Sequence, residues 1–128
     1  MLLQITNSLV TIASTNLETL AIFYTNLLGE PKSYIPNVYA EFHLPGIILG
    51  IFKPKATSED EFKNATQSKM SLCLEVNYLE DAITYFTNLG HPPIGAITTA
   101  SHGRETYVHD PDGNRIILHQ GFIKSGIS

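Results

Sequence analysis

The stretch "NLETLAIFYTNL" at residues 16–27 returns, at an offset of 62, as "YLEDAITYFTNL" at residues 78–89. The two copies share Leu, Glu and the closing Thr-Asn-Leu, and exchange Phe-Tyr for Tyr-Phe. The first places apolar side chains at Leu17, Leu20, Ala21, Tyr24 and Leu27, the second at Leu79, Ala82, Ile83, Phe86 and Leu89. Both follow the i, i+3, i+4, i+7 stripe of an amphipathic helix. Thr15-Asn16-Leu17-Glu18 and Asn77-Tyr78-Leu79-Glu80 each read as a capping box, with an oxygen-bearing cap and a glutamate three residues on. Each helix is expected to end at a glycine, Gly29 or Gly90, with a proline just beyond.

Around each helix lie stretches of strand-forming residues. Leu9–Ala13 and Ser71–Val76 precede the helices; Tyr34–Ile35, Val38–Leu44 and Ile47–Phe52 follow the first, and Ile94–Thr98, Glu105–His109 and Arg115–Gln120 the second. Each half therefore reads βαβββ, with repeat 1 over about 5–53, repeat 2 over about 70–121 and a polar connector at 54–69. A four-stranded sheet with one helix has only one face covered. The expected fold is α+β: two βαβββ repeats forming a curled mixed sheet around a concave cleft, helices outside, as one domain over residues 1–128.

Composition bounds the function. The chain is 43% hydrophobic and 16% charged, enough to bury a core, and its net charge of −4 with scattered Lys and Arg argues against nucleic acid or an anionic membrane as partner. No apolar stretch reaches membrane-spanning length and no secretory leader is evident. A lone cysteine, Cys73, cannot form an internal disulfide, so the expected compartment is the cytoplasm, where the sequon at Asn64 has no meaning.

"DPDGN" at 110–114, just before the last strand of the second unit, is a turn in which Pro111 fixes φ and Gly113 can supply positive φ. Together with the "NLETLAIFYTNLLG" helix and the doubled βαβββ pattern, it resembles the vicinal-oxygen-chelate superfamily, the group of glyoxalase I, extradiol dioxygenases, fosfomycin-resistance transferases and bleomycin-binding proteins. The resemblance covers nearly the whole chain. Enzymes of that superfamily hold one divalent ion through His, Gln or Glu, and the matching positions here are Leu9, Gly50, Ser71 and Ile117. Leu, Gly and Ile have no donor atom and a lone Ser hydroxyl is a poor one, so no metal and no cofactor are expected.

If those positions face the cleft, strand alternation brings Thr11, Ala13, Ile48, Phe52, Cys73, Glu75, Arg115 and His119 to the same side, making it mostly apolar with a few polar groups. Tyr39, Glu41 and His43 alternate together, but their face is open at this point. The candidate ligand-binding residues are Thr11, Tyr39, Phe52, Cys73, Glu75, Arg115 and His119. Glu75 and His119 read either as solvated strand-end groups or as a hydrogen-bonding pair, and Cys73 as a small core residue rather than a nucleophile. The five histidines show no i, i+2 strand pair and no i, i+4 helix pair, so no local ligand cluster stands out. These features favour a metal-free small-molecule binding protein, resembling the bleomycin-resistance branch and forming a homodimer. The alternatives are a lyase, isomerase or dioxygenase with a non-standard active site, or a non-catalytic interaction module.

Overall fold

The structure, a computed structural model, describes residues 2, 4–63 and 68–122. It divides into two compact units, Met1–Lys63 and Asn64–Ser128. In the first, β1 (Val10–Ala13) leads into α1 (Leu17–Leu28), then β2 (Ser33–Ile35), β3 (Tyr39–Leu44) and β4 (Ile47–Phe52). In the second, β5 (Leu72–Glu75) leads into α2 (Leu79–Asn88), then β6 (Thr98–Ala100), β7 (Gly103–His109) and β8 (Arg115–Gly121). Each unit is thus a βαβββ module with its own open four-stranded sheet, ordered β1-β4-β3-β2 and β5-β8-β7-β6. In each, the first strand runs parallel to the last and the remaining pairs are antiparallel.

The helical stripe does what its period implies. α1 buries Leu17, Leu20, Ala21, Phe23 and Tyr24 over a sheet face carrying Ala40, Phe42, Leu49 and Ile51. Tyr24 lies edge-on to Phe23, with ring centres 5.0 Å apart, and 6.1 Å from Phe42. In the second unit Leu79 and Phe86 of α2 are buried together with Val108, Ile116 and Leu118 of β7 and β8. Burial of each of the larger of these side chains contributes about 1.5–3 kcal/mol. Both helices end at a glycine of positive φ, Gly29 at 95° and Gly90 at 89°.

The capping boxes do not form. Neither Asn16 nor Tyr78, the residues at the two helix starts, makes a side-chain cap. Glu18 instead accepts from the Tyr34 hydroxyl and from the Asn37 N–H, the latter at 2.6 Å. Glu80 takes the Arg104 guanidinium through two bonds of 2.6 and 2.9 Å, while the Leu79 N–H donates to Gln120 Oε1 at 2.7 Å. A forked, charge-assisted pair is stronger than the local backbone bond it displaces, and a carboxylate in the first turn suits the helix dipole either way.

The strand expected at Ile94–Thr98 sits further on, at Thr98–Ala100. It is the first arm of a tight hairpin closing at Gly103, φ 145°, where an added Cβ would lie 2.3 Å from the Gln120 carbonyl. That turn sets the register, and Ile94 keeps one backbone bond, its N–H to the Tyr107 carbonyl at 3.0 Å. Within the connector, Ala56–Phe62 forms a 3-10 helix with no buried residue. Residues 64–67 of the connector, including the Asn64 sequon, lie outside the described residues.

The Arg104 pair holds the exposed Glu80 carboxyl at a pKa of about 2, against an ordinary 4.5. A depressed folded-state pKa means that the pair's contribution is complete above the unfolded value and is lost as pH falls toward the folded one. Glu80→Gln is therefore expected to lower the melting temperature slightly near neutrality and to shrink its fall between about pH 5 and pH 2. Parallel melting curves for wild type and variant across that range would contradict the pairing.

Candidate functional site

With one side of each sheet under a helix, the opposite side is left for chemistry. In the first unit the register sets Thr11, Gly50 and Glu41 in one row and Ala13, Phe52 and Tyr39 in the next, with His43 opposite Ile48. Ala40 and Phe42 point into the core, so Tyr39, Glu41 and His43 occupy the helix-free face, a choice that strand alternation alone left open. The Tyr39 ring lies over Gly50, where an added Cβ would stand 2.6 Å from its hydroxyl. That hydroxyl donates to Glu41 Oε1 at 2.8 Å, and Glu41 Oε2 meets His43 Nε2 at 2.6 Å. His43 and then Tyr39 hold the Glu41 carboxyl below the usual range, while burial and the same carboxylate push the Tyr39 phenol up. Phe52 is partly covered by Phe62 of the 3-10 helix, edge to face with ring centres 5.6 Å apart.

The second unit places Cys73, Ile117 and Tyr107 in one row and Glu75, His119 and Glu105 in the next. Here Glu75 and His119 do form a pair, Oε1 to Nδ1 at 2.5 Å, and the Gly121 N–H donates to Glu75 Oε2 at 2.7 Å. Burial works against ionisation of Glu75, but these two bonds outweigh it and hold the carboxyl low. His119 Nε2 in turn lies 2.9 Å from Nδ1 of His102 in the β6–β7 turn. Cys73 is exposed rather than a core residue; partial desolvation of its thiol, with Glu105 and Glu75 nearby, raises its pKa, which disfavours the thiolate. Arg115 reaches across to the segment just before β5, where its Nε donates to the Ser71 hydroxyl and Nη2 to the Ser68 carbonyl at 3.2 Å.

The candidate residues thus fall into two groups. Thr11, Tyr39 and Phe52 share the helix-free face of the first unit, and Cys73, Glu75, Arg115 and His119 that of the second. Three participants escaped the sequence pattern: His102, Glu105 and Tyr107. For Glu105 and Tyr107 the alternation of "RETYVH" was the available signal. For His102 the sequence offers only the exposed turn His102-Gly103-Arg104-Glu105, and not its meeting with His119, which lies seventeen residues on in β8.

No family model and no curated protein matches the sequence. Solved structures do. A glyoxalase-related enzyme from Fulvimarina pelagi superposes with a TM-score of 0.72 at 20% identity, covering 96% of this chain and 95% of that one. A genomically encoded fosfomycin resistance protein from Listeria monocytogenes gives 0.72 at 15% identity, over 94% and 97%. A bleomycin-binding protein complexed with bleomycin gives 0.67 at 18%, over 92% and 100%. The chain has the vicinal-oxygen-chelate fold.

The resemblance would place an ion among Leu9, Gly50, Ser71 and Ile117, and the residues present do not fit one. Gly50 lies beneath the Tyr39 hydroxyl, and the only hydroxyl of the set, on Ser71, is engaged by the cationic Arg115 guanidinium. Neither arrangement offers the nitrogen or carboxylate donors that a divalent ion needs. Among the described residues no helix is long and apolar enough to cross a membrane.

Proposed function

We propose that this protein binds an organic small molecule on the helix-free faces of its sheets, without an ion at the four superfamily positions. The observation that carries the reading is Tyr39 laid over Gly50 beside Phe52: a half-buried aromatic surface with a hydrogen-bonding edge, which suits a planar ligand. The bleomycin complex of a protein with this fold supports the same reading. Thr11 and Glu41 border the first surface, and Cys73, Arg115 and the Glu75–His119 pair supply polar contacts on the second. Thermal-shift screening of planar aromatic compounds, bleomycin among them, tests this. A stabilising compound is expected, with the shift lost in Tyr39→Ala; a panel without effect counts against it.

A second reading, an enzyme working by acid–base chemistry, draws on the Tyr39–Glu41–His43 chain of hydrogen bonds. Conversion of a bound compound, abolished in His43→Gln, would favour it over simple binding. The protein is further proposed to be a cytoplasmic homodimer. β2 is a sheet edge with Tyr34 and Ile35 exposed, and an uncovered edge is a pairing liability. Light scattering at micromolar concentration should show twice the 14.1 kDa chain mass, and a monomer alone would contradict it.

A further inference from the structure

We propose that His102, Glu105 and His119 bind a divalent first-row transition-metal ion on the helix-free face of the second unit. One ligand atom from each lies within 4.8 Å of the others. Glu105 stands directly across from His119 in the β7–β8 ladder, so both side chains leave the sheet on the same side, and His102 reaches them from the turn that opens β7.

The second oxygen layer makes this more than proximity. Glu75 accepts the Nδ1 proton of His119 at 2.5 Å, and is itself fixed by the Gly121 N–H at 2.7 Å. That fixes the His119 tautomer and turns the Nε2 lone pair outward, as carboxylate-backed histidine ligands require. The outward nitrogen lies 2.9 Å from His102 Nδ1. Two imidazole nitrogens bound at a tetrahedral angle to one ion, with bonds of about 2.1 Å, stand about 3.4 Å apart, so the exposed His102 ring has only to draw back by about half an ångström. Without an ion the two rings share a proton across that gap. An ion takes the proton's place when the exposed His102 ring turns its Nδ1 lone pair toward it, leaving the proton on Nε2.

Two imidazoles and a carboxylate form a donor set for zinc, iron, manganese or nickel rather than for calcium or magnesium. Three protein donors leave open positions for water or an oxygen of a small molecule. This site shares no residue with the four superfamily positions. It departs from the expectation of a metal-free protein, which rested on those positions and on the lack of a local histidine pair, and it stands whether or not the aromatic surface of the first unit binds a ligand.

The test is calorimetric titration of untagged, chelator-stripped protein with zinc chloride near neutral pH. One zinc per chain is expected, with affinity in the micromolar range or tighter. His102→Ala and Glu105→Gln should each weaken it at least about tenfold, and Glu75→Gln by about 10–100-fold although it touches no ion. His102 lies on an exposed turn and Glu105→Gln is isosteric, so circular dichroism should find both variants folded. Absence of binding at about 100 μM zinc, or affinity unchanged in both variants, would overturn the site.

Discussion

Phe42→Ala should destabilise the fold by about 3–5 kcal/mol, the usual cost of deleting a buried phenyl ring. Phe42 is 1% exposed and lies 6.1 Å, ring centre to ring centre, from Tyr24 of α1, beneath the helix that covers this side of the first sheet. Removing the ring leaves a cavity between helix and sheet that neither the β3–β4 ladder nor α1 can close without breaking hydrogen bonds. The melting temperature should fall by about 10–20 °C, given a few degrees for each kcal/mol in a domain of this size. Ile22→Ala is the companion measurement. Ile22 lies on the same helix but is 63% exposed, and its loss should change stability by less than about 0.5 kcal/mol. Equal losses in the two variants would mean that α1 does not pack as described.

Asp110→Ala should cost about 2–4 kcal/mol, by loss of the buried carboxylate that organises the β7–β8 turn. Asp110 is 3% exposed. Its Oδ1 accepts from the N–H groups of Asp112 and Asn114, both at 2.9 Å, and Oδ2 from the Asn114 side chain at 2.8 Å. Truncation leaves these donors without their acceptor in a half-buried turn. Asp110→Asn, which keeps one carbonyl oxygen, should lose less. Gly113, at φ 87°, lies in the same turn, and Gly113→Val should strain it by about 1–2 kcal/mol. Urea unfolding followed by circular dichroism ranks the three; Asp110→Ala indistinguishable from wild type would contradict the turn.

What the sequence could convey follows from the range of the interactions. The two helices were legible because α1 and α2 repeat one apolar period over ten or more residues, and the strands because each was flanked by turn residues. Local pattern failed where a distant partner decided the outcome. Glu18 and Glu80 had the spacing of capping boxes, but Tyr34 and Arg104 took their carboxylates. β6 was placed too early because its register depends on the close approach of Gly103 to β8, which no residue within Ile94–Thr98 reports. The side taken by Tyr39, Glu41 and His43 required knowing that Tyr39 pairs with Phe52 and Glu41 with Gly50. The meeting of His102 with His119 lay beyond any local motif, since it needs both the hairpin turn and the β7–β8 ladder.

The superfamily positions show the opposite case. That Leu9, Gly50 and Ile117 lack donors and Ser71 offers only a hydroxyl is plain from residue types. Only the structure adds that Tyr39 fills the space over Gly50 and that Arg115 engages Ser71.

The most direct test of ligand binding on the helix-free faces is amide chemical-shift mapping of the labelled protein during titration with a compound taken from the aromatic panel. The predicted result is a contiguous set of shifted amides on β1, β3 and β4 around Thr11, Tyr39, Gly50 and Phe52, or on β5, β7 and β8 around Cys73, Tyr107 and Ile117, with Ile22 and Tyr85 on the helices undisturbed. Shifts confined to the helices, or none with any compound at millimolar concentration, would contradict the account.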